Sequence, residues 1–262
     1  MKAPSHQPVL GVQNYLEEAV WCLKPVNEAA VFISSRTDAG VHTLCNSAHL
    51  DIQRRGLQSP FKGEELVSAL NHALRPQDIR VTGAWRVYSI FSARHRALSR
   101  TYVYCLATGT PHHTHSSLTH SKLCWFLPNM ELDVCAMREA CSLLLGTHDF
   151  STFSALSSDA AFKSPIKTLE LAQLQPSVSF AWQHFNRNIQ HWEFTFQSRS
   201  FLYKQVRRIQ GLLEARDSLV FPNNVMAPPH GLFLTRVEYQ KSGSQGRPGD
   251  VVSREEEEEW AS

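Results

Sequence analysis

Apolar residues recur every three to four positions in four segments of the chain, which is the spacing of an amphipathic helix. The four predicted helices are residues 12–23, 63–74, 131–145 and 201–214. Two of them end at residues that stop helices, since the second runs into Pro76 and the third into Gly146.

Other segments alternate apolar and polar residues or form short apolar runs, as β-strands do. The predicted strands are residues 31–35, 48–53, 79–88, 100–108, 166–174, 191–198 and 231–239. Helices and strands interleave with hairpin-like spacings, so we predict an α+β fold with antiparallel or mixed sheets. Residues 109–121 have no periodicity and are predicted to be a loop, and residues 240–262 have the composition of a disordered tail.

Length and composition exclude several classes of protein. With 262 residues and 42% hydrophobic content, the chain can bury a sizeable core in one large domain or two lobes. Its six cysteines are scattered and form no Cys-x-x-Cys pair, which favours a reducing compartment. The first ten residues have no apolar signal region, and no apolar run approaches the ~20 residues of a membrane span, so we expect a soluble intracellular protein.

The charge distribution favours a polyanionic partner. The formal net charge is +2, and five acidic charges lie in the terminal run Glu255 to Glu259, which leaves +7 on the remainder. Two segments, 86–104 and 199–208, combine arginines or lysines with aromatic residues and contain no acidic residue. Guanidinium groups pair with phosphates and aromatic rings stack on bases, which suits a folded RNA with one nucleotide extruded. A solvated basic face over a buried aromatic core explains either segment alone equally well.

The stretch SSRTDAGVHT, residues 34–43, is predicted to be a loop between two strands. Asp38 lies in this loop next to Gly40, which permits close approach of other backbone. The carboxylate can form a local Asx turn, or it can act as a nucleophile or base. Arg207 lies beside the apolar stripe of the last predicted helix, where an arginine needs a carboxylate partner, and Asp38 is a candidate.

Several motifs, in the same order as in the family, resemble the TruA family of tRNA pseudouridine synthases, and most closely its eukaryotic tRNA pseudouridine synthase-like branch. The motifs are GVQNYLEEAV (11–20), SSRTDAGVHT (34–43), FSARHRALSRTYVY (91–104), GTHDFSTF (146–153), SFLYKQVRRIQG (200–211) and APPHGLFLTRVEY (227–239).

The resemblance implies isomerisation of uridine to pseudouridine in tRNA without any cofactor or metal. It implies that Asp38 is the catalytic aspartate, that Tyr102 stacks on the flipped uracil, and that Arg207 keeps the aspartate ionised. Arg36 matches the arginine that helps to extrude the base. We assign RNA binding to a set of basic residues, namely Arg36, Arg94, Arg100, Lys204 and Arg208.

The family also implies a pseudouridine-synthase-like fold with two lobes around a central basic cleft. We place the aspartate lobe at residues 11–108 and the C-terminal lobe at 122–239. Family relatives suggest a homodimer and a mitochondrial location, although this N-terminus offers no support for the latter. The chain departs from the family in two places: the strand expected before Gly11 has no counterpart, and residues 211–227 span the gap after the last helix in fewer residues. The alternative function is therefore an RNA-binding, catalytically impaired variant, and a misfolding fragment is a third reading.

Two other chemistries fit less well. The histidines of the 109–121 loop could suggest a metal site, but no cysteine or carboxylate pair lies at ligand spacing with them, so a polar loop is the better interpretation. Asp38 and His42 could suggest a hydrolase dyad, but no serine or cysteine nucleophile motif accompanies them.

Overall fold

A computed structural model describes residues 10–56, 58–109, 122–127, 132–155, 164–177, 189–215 and 226–240, except the side chains of 212–215. Its contacts divide the described residues into two compact units. The first unit contains residues 10–34 and 47–96, and the second contains 35–46 and 97–239. The lobes predicted at 11–108 and 122–239 stay a prediction; by contacts, residues 35–46 and 97–108 belong with the second unit.

The described residues form an α+β fold, as predicted. The helices are α1 (Val12–Cys22), α2 (Gly63–Ala73), α3 (Val134–Leu143) and α4 (Gln205–Ala215). The strands are β1 (Phe32–Ile33), β2 (His42–Thr43), β3 (Ala48–His49), β4 (Ala97–Thr108), β5 (Trp125–Leu127), β6 (Gly146–Asp149), β7 (Ile166–Ser177), β8 (Gln190–Ser198) and β9 (Leu232–Tyr239).

The first unit packs α1 against α2 and pairs β1 antiparallel with β3. Its buried core is small because α1 contributes two buried side chains, α2 contributes one, and β1 and β3 contribute none. The core residues are Ala19, Val20, Val31, Leu70 and Leu74. The helical periods of both helices are confirmed to within one or two residues at each end.

The strand predicted at residues 79–88 is wrong, since this described segment belongs to no sheet. Instead of a ladder partner, Val81 uses the side-chain amide of Asn71 in α2. Asn71 Oδ1 accepts from Val81 N and Asn71 Nδ2 donates to Val81 O, both at 2.8 Å. One amide side chain therefore satisfies the backbone groups that a neighbouring strand would otherwise bond.

The second unit is built on a seven-stranded mixed sheet. The strands follow the order β2-β9-β4-β8-β7-β6, with β5 paired to β4 outside this path. β2 runs parallel to β9 and β5 runs parallel to β4, whereas the other pairs are antiparallel. β4 is the central strand, with β8 on one side and β9 on the other, and its side chains reach the core of the unit.

Helix α4 begins four residues later than predicted. Lys204 adopts a left-handed backbone with φ of 60°, and the side chain of Gln205 accepts a hydrogen bond from Leu202 N at 2.8 Å. A non-glycine residue at positive φ cannot continue a helix, so a turn at residues 203 and 204, closed by the bond from Gln205 N to Leu202 O, precedes α4.

Candidate active site

Asp38 lies in a tight turn that we name the aspartate turn, residues 35–41. Val41 N donates to Asp38 O at 3.1 Å, and Gly40 adopts a φ of +80°. A Cβ added to Gly40 would lie 3.0 Å from Pro229 Cγ. Both the backbone conformation and this close approach favour glycine, which explains the Ala-Gly step in the sequence.

The aspartate turn leads directly into the sheet of the second unit. His42 pairs with Phe233 in the parallel ladder between β2 and β9, and the two rings stack at 4.9 Å between centroids. His42 Nε2 also lies 2.7 Å from Lys122 O, and Leu44 N donates to Leu234 O at 2.9 Å. The end of the turn is therefore fixed to β9.

The side chains of Asp38 and Arg207 form an ion pair. Arg207 Nη1 donates to Asp38 Oδ2 at 3.2 Å, and the two side chains are 8% and 22% exposed, with the arginine the more buried. Arg207 Nε donates to Ala227 O at 2.7 Å, and Ala227 N returns a bond to Arg207 O at 3.0 Å. The guanidinium thus lies between the carboxylate and a backbone carbonyl, with the partner that the sequence suggested.

Tyr102 of β4 lies near this ion pair and is 9% exposed. Its ring meets Phe201 edge-to-face, with 5.2 Å between centroids and 88° between planes. Burial raises the pKa of Tyr102 to about 12, the Arg100 charge partly lowers this pKa, and Asp38 raises it. The phenol is consequently neutral near pH 7 and can donate a hydrogen bond.

The five basic residues assigned to RNA binding have different environments. Arg36 and Arg94 are exposed, and Arg94 belongs to the first unit. Lys204 is half-buried, and its Nζ lies 4.8 Å from the centroid of the Tyr203 ring. Arg208 and Arg100 instead bond protein groups. Arg208 Nη1 donates to the carbonyls of Thr152 and Ser154, whereas Arg100 is buried and bonds Ser35 and Arg199.

Sequence reasoning missed the contribution of the APPHGL segment to this site. Tyr104 Oη donates to Pro228 O at 2.8 Å, and a Cβ on Gly231 would lie 2.8 Å from Cζ of the Tyr104 ring. His230 has a pKa below its ordinary value, chiefly because of burial, although a hydrogen bond to the backbone of Cys124 raises it. His42 and Arg207 lower the pKa further, which places His230 beside the site. The motif itself was visible in the sequence, but its contacts with β4 and the aspartate turn were not.

Within the part of the chain that the structure describes, no group of three or more histidine, cysteine, aspartate or glutamate residues could hold a metal ion. The four histidines of the predicted 109–121 loop lie outside these residues. No helix among the described residues is long and apolar enough to cross a membrane.

Residues 140–218 match the model of a protein family described as tRNA pseudouridine synthase. The Xenopus laevis protein named tRNA pseudouridine synthase-like 1 is 47% identical to this chain over 280 aligned positions, which cover 100% of the chain and 92% of that protein. The chain belongs to the tRNA pseudouridine synthase family. Within this family, the Homo sapiens protein of the same name is 44% identical and aligns with 91% of the chain and 84% of its own length. A bacterial member, tRNA pseudouridine synthase A of Dinoroseobacter shibae, is 37% identical, with 87% of each chain covered.

The alignment with the Xenopus protein also shows that this chain is internally shorter than that relative. The alignment with the Xenopus protein spans 280 positions and includes all 262 residues of this chain. At least 18 residues of the Xenopus protein therefore have no counterpart here.

Proposed function

We propose that this chain isomerises uridine to pseudouridine in tRNA, with Asp38 as the catalytic carboxylate. The observation that carries the proposal is the ion pair of 3.2 Å between Asp38 and Arg207 in a member of the tRNA pseudouridine synthase family. The buried arginine holds the half-buried carboxylate in place and balances its negative charge.

The reaction breaks the bond between N1 of uracil and C1′ of the ribose, turns the base, and joins C5 to C1′. The proton on C5 is lost and N1 gains a proton, so the product is an isomer of the substrate and no oxidant or reductant takes part. Asp38 either attacks the nucleoside or removes a sugar proton so that the uracil detaches. Arg207 stabilises the negative charge on Asp38 before this step.

Tyr102 is proposed to contact the flipped uracil and to assist loss of the C5 proton. Its raised pKa keeps the phenol protonated, so Tyr102 assists by donating a hydrogen bond that orients the uracil, while the C5 proton itself leaves to water or to the Asp38 carboxylate. Because the side chain is only 9% exposed and its ring meets Phe201 edge-to-face, stacking a uracil over the whole ring requires neighbouring groups to move.

RNA binding is proposed to rest on the exposed basic residues. Extruding a stacked nucleotide costs a few kcal/mol, which phosphate contacts and stacking repay. Arg36 lies two positions before Asp38 and is exposed, so it can enter the space that the base leaves. Arg94 and Lys204 supply further cations. The basic cleft between two lobes, the homodimer and the mitochondrial location stay predictions.

One observation favours a second function, an RNA-binding protein that no longer turns over its substrate. This chain lacks at least 18 residues that the Xenopus relative has, and a shortened segment after α4 would change the surroundings of Arg207. The described side chains of the site keep their partners nonetheless.

Tritium release from tRNA labelled at C5 of uridine separates the two functions. We expect the parent chain to release tritium, and Asp38→Asn to lose at least about 1000-fold in rate while still binding tRNA. Asp78→Asn is the matched control, because Asp78 is exposed and lies outside the site. A parent chain that binds tRNA but releases no tritium supports the second function. Equal rates for the parent and Asp38→Asn contradict the role of Asp38.

A further inference from the structure

We infer that Arg100 is a positioning residue that ties the aspartate turn to the segment leading into α4, and that it is not a phosphate contact. This inference rests on the proposed function, because it concerns the same site. It replaces the assignment of Arg100 to RNA binding, which was made from the basic composition of its segment.

The burial of Arg100 is the first argument. Arg100 is 9% exposed, as much as Tyr102, and lies in the central strand β4, where it pairs with Ser198 of β8 and Val237 of β9. An arginine that contacts phosphates must present its guanidinium to solvent in the free protein, as Arg36 does. An arginine that is buried has to find the partners of its guanidinium within the protein.

Those partners are the second argument. Arg100 Nε donates to Ser35 Oγ at 2.7 Å, and Arg100 Nη1 donates to the carbonyl of Arg199. Ser35 opens the aspartate turn, and its own carbonyl accepts from Asn46 Nδ2 at 2.9 Å. Arg199 follows β8 directly and precedes the turn that begins α4. One guanidinium therefore joins the start of the chain segment that carries Asp38 to the start of the segment that carries Arg207.

The ion pair depends on how these two segments meet. Asp38 comes from a loop and Arg207 from a helix, and Oδ2 and Nη1 are 3.2 Å apart, which is longer than is usual for a charge-assisted hydrogen bond. A shift of about 1 Å in either segment would break it, and misplacement on that scale lowers rates substantially. The Arg100 bridge fixes one end of the aspartate turn, and the pairing of β2 with β9 fixes the other.

Only arginine has this geometry. A guanidinium donates in two directions from a rigid plane, whereas a lysine has one flexible point charge and cannot reach both oxygens in the same way. The charge of Arg100 also acts on Tyr102. It lowers the pKa of that phenol, whereas burial raises it. Its cation therefore serves the site from inside the protein.

The test compares Arg100→Lys and Ser35→Ala with two reference variants, and Arg100→Met serves as the most severe change. Lys204→Met removes a cation proposed to bind RNA, and Arg236→Met removes an exposed arginine of β9 from a surface ion pair with Glu238. Three quantities are measured: the dissociation constant for tRNA with its salt dependence, the single-turnover rate at saturating tRNA, and hydrogen exchange of peptides that cover residues 35–41.

We expect Ser35→Ala to lower the single-turnover rate about 3- to 10-fold, as the loss of one hydrogen bond implies, and Arg100→Lys to lower it about 10- to 100-fold. Both variants should keep the tRNA affinity within about twofold of the parent and leave the salt slope unchanged, while exchange across residues 35–41 becomes faster. In the double variant with Ser35→Ala and Arg100→Lys, the single-turnover rate should fall by less than the product of the two single-variant factors. Lys204→Met should weaken binding and lower the salt slope by about one, and Arg236→Met should change none of the three quantities.

The inference is overturned if Arg100→Lys weakens tRNA binding and lowers the salt slope while the rate at saturation stays that of the parent. It is also overturned if exchange across residues 35–41 is unchanged in both variants. A parent chain without tritium release contradicts the proposed function alone, because the exchange and affinity measurements still decide the role of Arg100.

Discussion

The two compact units differ in how their backbone is held. In the second unit, a seven-stranded sheet carries a continuous core that includes Tyr104, Phe194 and Phe196. In the first unit, each of the two strands is two residues long, and the fully buried core consists of five side chains. Trp21 and Trp85 of the first unit are 76% and 77% exposed, whereas the large aromatic residues of the second unit's core are almost completely buried.

This difference explains where the candidate chemistry lies. Asp38, Tyr102 and Arg207 all belong to the second unit, although Asp38 lies more than fifty positions before the start of β4 in the sequence. A reacting group needs a rigid support, and the sheet supplies it through β2, β4 and β9. The first unit instead presents exposed basic and apolar residues.

The largest effect is expected from breaking the ion pair in the second unit. Arg207→Met leaves Asp38 without its partner and leaves the carbonyl of Ala227 without its donor, so activity should be lost and the free energy of unfolding should fall by about 3–5 kcal/mol. Arg207→Lys keeps the charge and should fall between the parent and Arg207→Met in both measurements. Urea unfolding and tritium release check this prediction, and a fully active Arg207→Met would contradict it.

The next prediction sharpens the contrast between the two cores. Phe194→Ala removes a fully buried ring from the second unit and should cost about 3–5 kcal/mol, and Leu74→Ala should cost about 2–5 kcal/mol in the first unit. Hydrogen exchange followed by mass spectrometry should show faster exchange mainly in the unit that carries each substitution. If either variant accelerated exchange equally throughout both units, the chain would unfold as one body and the comparison would fail.

A smaller effect is expected at the aspartate turn itself. Gly40→Ala places a Cβ at positive φ and 3.0 Å from Pro229 Cγ, and the left-handed backbone alone costs about 1–2 kcal/mol. We expect a lower rate at saturating tRNA with little change in affinity, because the turn is displaced but the basic residues are not. Gly56→Ala is the control, since Gly56 also has positive φ but its added Cβ meets no atom within 4 Å. Similar rate losses in both variants would mean that positive φ alone causes the loss, and not the position of Gly40 in the aspartate turn.

The smallest effect is a dependence of stability on pH through His230. Because its pKa in the folded protein lies below the ordinary 6.5, the unfolded chain binds a proton more readily, so stability is present above pH 6.5 and falls as the pH is lowered below that value. His230→Asn should flatten this part of the curve. Urea midpoints between pH 8 and 5 measure it, and a slope identical in parent and variant would show that other groups cause it.

Local patterns in the sequence predicted most of the elements of both units, because helical and alternating periods survive without knowledge of the partners. The strand predicted at 79–88 was wrong because local patterns do not identify the partner of an extended segment. The sequence looks the same whether a neighbouring strand or the side chain of Asn71 bonds the backbone. The short strands β2, β5 and β6 were missed because two to four residues carry no period.

For the site, the partner of Arg207 was predictable because a buried cation requires an anion, and the Asp38 motif supplied one. The burial of Arg100 was not predictable, because composition cannot distinguish a buried arginine in a central strand from one on a solvated face. Burial of a charged side chain is decided by the pairing of strands that lie far apart along the chain. That pairing leaves no local mark on the residues around Arg100.

The parallel pairing of β2 with β9 also sets an order of assembly on the ribosome. The aspartate turn is synthesised early, but the strand that anchors its end emerges almost two hundred residues later. Until residues 232–239 have left the exit tunnel, the nascent turn has no ladder to join, and such distant contacts form slowly. If synthesis ended before β9, the chain would therefore contain every residue named for the reaction, but the site would not form.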